Sequence, residues 1–237
     1  MSAVTDYICL DLETTGLSPK TDRIIEIGAV KVRNGEVVER FHRLVDPRME
    51  VAERIEELTG IKGKELAGQP LLEEVLPALE DFLEEDILIG HRISFDYAFL
   101  KRAFVNQKKS FDKQGVDTLR LARALVSDCT SKRLESLCQH FSISLNRAHR
   151  AQEDAEATAF LYQRLVENYY REEVAELFRP QTLVFKLKKE GPITKAQLER
   201  LQRLIDKYEI TPYAEIKSLT KNEASRYLDR IYAEHGR

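Results

Sequence analysis

The sequence predicts an α/β protein, a mixed sheet of about five strands flanked by helices, followed by a small and mostly helical C-terminal module. Three observations carry this prediction. The first 45 residues hold three β-rich runs joined by short turns, which make an antiparallel meander. From residue 51 to about residue 170, apolar residues at helical spacing enclose two short apolar runs, the pattern of strands connected through helices. Beyond Arg179-Pro180 the charge changes sign. Residues 180–237 carry 12 Lys/Arg against 8 Asp/Glu, a net of +4, whereas residues 1–179 carry 25 against 32, a net of −7. The expected domains are therefore 1–175 and 180–237.

Tyr7-Ile8-Cys9-Leu10 opens the first strand and runs into Asp11-Leu12-Glu13-Thr14-Thr15-Gly16. Strand side chains alternate, so Asp11 and Glu13 share a face and Leu12 takes the other. Two carboxylates in one patch resist joint ionisation unless a cation lies between them. A solvated strand terminus is the alternative. Gly16 is expected to let the backbone approach a bound group closely. After a turn over Leu17 to Asp22, Arg23 to Val32 forms a second strand ending at Asn34-Gly35, a two-residue hairpin signal. Val37 to Val45 is the third, stopped by Asp46-Pro47. Glu26, an acid inside an apolar strand, is expected to be paired with a backbone group or a neighbouring cation.

Helices follow over Val51 to Leu58 and Leu71 to Leu83, then the strand Ile87-Leu88-Ile89, which leads into Gly90-His91-Arg92-Ile93-Ser94-Phe95-Asp96. Ser94 is expected to cap a helix from Asp96 to Val105, whose first turn suits a carboxylate. For His91 the plain reading is a hydrogen-bonded histidine at a strand exit. Val116-Asp117-Thr118-Leu119 is a strand-to-helix transition, with helices over Thr118 to Leu125 and Arg133 to Phe141. His149 and Asp154 are five residues apart and would lie about 140° apart on one helix. They converge only if His149 sits on the loop before a helix that begins near Ala151. In the tail, Leu183 to Lys188 alternates like a strand, and Thr194 to Tyr208 and Thr220 to Ala233 are amphipathic helices. Thr220 and Glu223 form a capping box. Lys186, Lys188, Lys189, Lys195, Arg200 and Arg203 are available to grip phosphates, with a solvated or protein-docking surface as the alternative.

Acids thus recur at three strand ends or helix starts: Asp11 with Glu13, then Asp96, then Asp154 with His149. Carboxylate clusters without cysteine suit Mg²⁺ or Mn²⁺. Four carboxylates can hold two such ions ~3.5–4 Å apart for an in-line phosphoryl displacement. A histidine, with an ordinary pKa near ~6.5, fits as general base. Composition narrows the class. With 43% hydrophobic and 32% charged residues the chain is that of a globular protein. No run of 18 apolar residues and no basic-then-apolar N-terminus occurs, so a cytoplasmic location without membrane contact is expected. The three cysteines lack C-x-x-C spacing, against a disulfide framework or a zinc site.

Together these motifs resemble the DEDDh 3′ to 5′ exonucleases, the family of the proofreading epsilon subunit of bacterial DNA polymerase III, ribonuclease T and oligoribonuclease. Asp11 to Gly16 matches the first motif, Gly90-His91 through Phe95-Asp96 the second, and His149 with Asp154-Ala155 the third; Arg23 to Ala29 and Val116 to Thr118 also look like family segments. The resemblance spans about residues 5 to 170. It implies a ribonuclease H-like fold, two divalent metal ions (Mg²⁺ or Mn²⁺) held by Asp11, Glu13, Asp96 and Asp154, and His149 as general base. Thr14, Thr15 and Leu17 would lie against the 3′-terminal nucleotide, with His91 and Phe95 lining the same pocket. Arg92 departs from the Asn that the family often has there. The implied activity is release of nucleoside 5′-monophosphates from the 3′ end of DNA, single-stranded DNA rather than RNA, with a DNA polymerase or replication and repair partner. An exoribonuclease like ribonuclease T, or a nuclease-fold docking subunit of a polymerase assembly, are the alternatives.

Overall fold

Tyr7–Thr14 (β1) is apolar on both faces over its first half, with Tyr7, Ile8, Cys9 and Leu10 all buried, and such a strand belongs inside a sheet covered on both sides. The computed structural model, which describes residues 3–145, 148–186, 191–212 and 215–236, puts it there. The chain forms two compact units, Met1–Phe185 and Lys186–Arg237. In the first, β2 (Ile24–Arg33) pairs antiparallel with β1, and β3 (Glu36–Leu44) with β2. On the other side of β1, β4 (Leu88–Gly90) and β5 (Gln114–Asp117) run parallel to it. A sixth strand, β6 (Gln181–Thr182), pairs antiparallel with β5, giving the order β3-β2-β1-β4-β5-β6.

The sheet therefore has six strands rather than five, and the first unit extends past residue 175. Of the strand expected over Leu183 to Lys188, residues 183–186 are not in a strand and Leu187 and Lys188 lie outside the described residues; the pairing segment is β6, just before, after which Leu183 and Phe185 pack their side chains against the first core. Lys188 and Lys189 lie outside the described residues, as do Asn146 and Arg147.

The helices of this unit are α1 (Glu53–Thr59), α2 (Gly63–Leu66), α3 (Leu72–Leu83), α4 (Ile93–Asn106), α5 (Thr118–Leu125), α6 (Leu134–His140) and α7 (Ala151–Tyr169). The alternation of β1 sorts them. Ile8, Leu10 and Leu12 join Leu79 and Leu83 of α3 and Leu100 and Phe104 of α4 in one core. Tyr7 and Cys9 join Leu121 of α5, Leu137 of α6 and Leu161, Tyr162 and Leu165 of α7 in the other. Each fully buried side chain of this kind contributes about 1.5–3 kcal/mol, so register along β1 is strongly enforced. Asp11 and Glu13 continue the Tyr7 and Cys9 face, toward α7.

One helix start differs from expectation. α4 begins at Ile93, not Asp96, and Ser94 is not its cap. Arg92 occupies the N-cap position in a left-handed conformation (φ 79°), and its N–H donates to Asp117 Oδ1 at 3.1 Å. The anchor at this corner comes from the neighbouring strand's end, so no local capping side chain is required.

In the second unit, α8 (Lys195–Tyr208) and α9 (Lys221–His235) are capped by Thr194 and Thr220, each in a reciprocal box with Gln197 and Glu223 respectively. Ile193 N–H donates to Leu219 O and Lys221 N–H to Gly191 O, which sets the two helix starts side by side. Leu201, Ile205, Ala224, Tyr227, Leu228 and Ile231 form its core. Among the described residues, no helix is long and apolar enough to cross a membrane.

Candidate active site

In the β1–β2 register Asp11 lies opposite Gly28 and Glu13 opposite Glu26. Gly28 is where the other half of the site rests. A Cβ built there would come within 2.1 Å of the Ala151 carbonyl carbon, so the first turn of α7 sits directly on the β2 backbone. Asp154, in that first turn, is thereby brought to the Asp11 and Glu13 face. Asp96 arrives from α4, and its Oδ1 accepts the Leu12 N–H at 3.1 Å, which ties it to the same end of β1. His149 lies on the loop before α7 in a left-handed conformation (φ 62°), and its N–H donates to Asp154 Oδ2 at 2.9 Å. Its ring is exposed, and ligand atoms of Glu13, His149 and Asp154 all lie within 4.8 Å of one another.

The electrostatics of this cluster are unbalanced. Burial raises the Asp11 carboxyl well above its usual range, and the charges of Asp96, Asp154 and Glu13 push it further. Glu13 is raised to about 8 by burial and by Asp154, Glu26 and Asp96. Asp154 is raised to about 7 and Asp96 is raised as well, burial leading in both despite the N–H groups that they accept. Among the described residues no hydrogen bond or ion pair reaches the Asp11 or Glu13 carboxylate. An oxygen-rich, cysteine-free set short of positive charge, with one imidazole at its edge, fits a hard divalent cation.

Around it, the Thr15 hydroxyl accepts the Arg23 N–H at 2.9 Å and points to the Met49 sulfur, and the Thr14 hydroxyl donates to Gly16 O at 2.6 Å. Leu17 is 81% exposed, an apolar side chain with no packing role in the chain itself. Gly16 does allow a close approach, but to the Asp22 carboxylate, which lies 2.5 Å from where its Cβ would be. Asp22 also accepts the Ser18 N–H and so closes the turn. Phe95 rests against Phe99 with ring centroids 5.0 Å apart. His91 has both ring nitrogens committed, Nδ1 to the Thr118 hydroxyl at 3.0 Å and Nε2 to Lys132 O at 2.8 Å. Burial lowers its pKa. Its ring braces the β4 exit against α5.

Two residues with clear roles were not singled out from the sequence. Arg150, the N-cap residue of α7, grips Glu26 through Nε at 3.1 Å and Nη2 at 2.7 Å. Asp117 accepts the N–H groups of Leu119 and Arg92 and joins α5 to the start of α4. The signals for Asp117 were its place at a strand-to-helix step, where aspartate is a favoured cap, and its place in a segment that resembles the family.

The sheet order and flanking helices are those of a ribonuclease H-like fold, with the carboxylate cluster at the end of β1. The chain belongs to the exonuclease family, whose RNase_T (Exonuclease) pattern matches residues 8–162. It is 42% identical over 154 residues, 65% of its length, to the DNA polymerase III PolC-type of Clostridium perfringens (strain 13 / Type A), of which it spans 11%. It spans only 11–14% of that and similar curated relatives. Its fold is that of Exonuclease X in complex with 5′ overhanging duplex DNA (TM-score 0.58, 23% identity, 73% of this chain and 99% of that one). It is also that of the nuclease domain of 3′hExo, a DEDDh family member, bound to rAMP (TM-score 0.63, 16% identity, 76% and 98%).

Proposed function

We propose that this chain is a divalent-metal-dependent 3′ to 5′ exonuclease that releases nucleoside 5′-monophosphates from DNA. The observation that carries the reading is the meeting of Asp11, Glu13, Asp96 and Asp154 at one strand end with uncompensated charge and His149 at the rim. The four carboxylates would hold the ions, here assigned as two Mg²⁺ or Mn²⁺. Bound ions supply Lewis-acid activation of water and of the scissile phosphate and offset the charge of the leaving oxygen. His149, held by its backbone to Asp154, takes the proton of the attacking water; the bond from phosphorus to the 3′ oxygen breaks and that oxygen is protonated from solvent. Leu17 and Phe95 supply apolar surface for the terminal nucleotide, and Thr14 and Thr15 hold the turn that presents Leu17.

DNA is favoured over RNA by the PolC-type relatives, which likewise favour a DNA polymerase assembly as partner and a cytoplasmic location. RNA is the second reading, on the fold likeness to the nuclease domain bound to rAMP. The second unit, Lys186–Arg237, is assigned to nucleic-acid or protein binding on its basic balance. A time course on 5′-labelled single-stranded DNA and RNA of matched sequence, with Mg²⁺ or Mn²⁺ and an EDTA control, tests the polarity, the metal dependence and the preference for DNA. A metal-dependent ladder receding from the 3′ end, faster on DNA, is expected. A folded protein that shortens neither strand would sink the reading and leave a docking subunit.

A further inference from the structure

At the carboxyl ends of β4 and β5 lies a groove of about 710 Å³ lined by Arg92, Ser94, Asp117, Arg120 and Arg123, with apolar residues of α5 as its floor. Three guanidiniums share it with one carboxylate. That carboxylate is already engaged, because Asp117 Oδ1 accepts the N–H groups of Arg92 at 3.1 Å, Leu119 at 2.9 Å and Arg120 at 3.4 Å. Among the described residues no ion pair reaches any of the three arginines. Arg120 Nη2 donates to Leu177 O at 2.7 Å, while its Nε is buried without a partner. Arg92 and Arg123 are exposed, and the Arg92 guanidinium lies 5.8 Å from the Phe95 ring centroid.

Other arginines of this unit have acids beside them: Arg33 with Asp86, Arg40 with Glu156, Arg164 with Glu167. In a part of the chain with net charge −7, three guanidiniums without an ion-pair partner among the described residues concentrate positive charge in one concavity. Arg92 and Ser94 lie at the start of α4, whose first turn also carries Phe95 and Asp96.

Building on the nuclease reading of the carboxylate cluster, we propose that this groove binds the phosphodiester backbone of the single strand just upstream of its terminal nucleotide, through Arg92, Arg120 and Arg123. Such contacts position a strand without reading its sequence, and each releases counterions, so they set the salt dependence of binding. Arg92, standing where an asparagine is common in the family, becomes part of the strand track.

The test compares the full chain with its Arg92→Gln/Arg123→Gln variant on two substrates, a single-stranded 10-mer and the p-nitrophenyl ester of thymidine 5′-monophosphate, which has no upstream phosphate. The ratio of kcat/KM for the 10-mer to that for the ester should fall about tenfold in the variant, through KM. The slope of log KM for the 10-mer against log salt should flatten by about 1.4, at ~0.7 for each of the two phosphates that the variant leaves without a guanidinium. An unchanged ratio and slope overturn the proposal and hand the groove to another occupant, such as an acidic protein segment. Should neither protein hydrolyse either substrate, the nuclease reading fails on its own. Fluorescence anisotropy of the 10-mer in EDTA then decides the groove separately, a tenfold weaker Kd for the variant supporting it and equal Kd values rejecting it.

Discussion

Glu13 and Glu26 face each other across two adjacent strands, and both are buried, at 9% and 0% exposure, yet one carboxyl is pushed up to about 8 and the other held at about 2. Burial pushes both upward. For Glu26 it is overcome by His42 Nε2 at 2.7 Å, by the Arg150 guanidinium and by the Ala151 N–H at 2.9 Å. For Glu13 the neighbours are mostly further acids, while Arg150 pulls the other way. The difference is whether the chain supplies the countercharge itself. Around Glu26 it does, and the result is a brace that pins the start of α7 to β2. Around Glu13 it does not, and the result is a place for a cation.

Removing a carboxylate from the unbalanced side should cost activity and not stability. Asp11→Ala is expected to lower kcat by about 10³-fold or more, the scale on which preorganised charge acts in catalysis. The metal-free melting temperature should stay at or above that of the native chain, because one mutually repelling group has gone. Turnover that survives the change rules Asp11 out as a ligand. Next in size is His149→Ala, for which a loss of about 10²–10⁴-fold near neutral pH is expected of a general base, measured as single-turnover release of the terminal nucleotide. An unaltered rate means that another group takes the proton.

On the balanced side the ranking reverses, with stability responding first. Glu26→Gln is expected to destabilise the protein at pH 7 by about 3 kcal/mol, the value of lowering the carboxyl from 4.5 to about 2. The sign follows from proton binding. Between about pH 4.5 and 2 the unfolded carboxyl binds more protons than the folded one, so this contribution is complete above pH 4.5 and disappears as pH falls to 2. Urea unfolding of both proteins across that range should show their difference shrinking toward zero in acid. A gap as large at pH 2.5 as at pH 7 would mean that Glu26 acts through packing rather than charge. Activity should fall too, since Arg150 and Ala151 immediately follow His149.

This contrast also marks what could be read in the chain. The shared face of Asp11 and Glu13 follows from strand period, and the placing of His149 off the helix follows from the incompatibility of a five-residue spacing with helical convergence. Both are local properties. Arg150 was not legible because its partner is 124 residues away. Ser94 looked like a cap because capping residues are read locally, whereas the corner at Arg92 is anchored by Asp117 from another strand. The close approach at Gly16 was legible but its object was not, since Asp22 closes the turn from six residues on. β6, two residues long, leaves no alternation to detect.

Leu17 extends the comparison from charge to apolar surface. Its neighbours Thr14 and Thr15 are 8% exposed and hydrogen-bonded within the chain, complete in the way that Glu26 is, whereas Leu17 at 81% exposure is left open in the way that Glu13 is. If the open groups are those kept for the substrate, Leu17→Ala should leave stability within about 0.5 kcal/mol, as for other surface changes. Its effect should appear in KM, raised about tenfold for loss of a few buried methyl and methylene groups against the terminal base. The two readouts, a thermal melt and initial rates at varied strand concentration, separate cleanly. A lower melting temperature with unchanged KM would assign Leu17 to holding the 16–22 turn, and the parallel with Glu13 would fail at this residue.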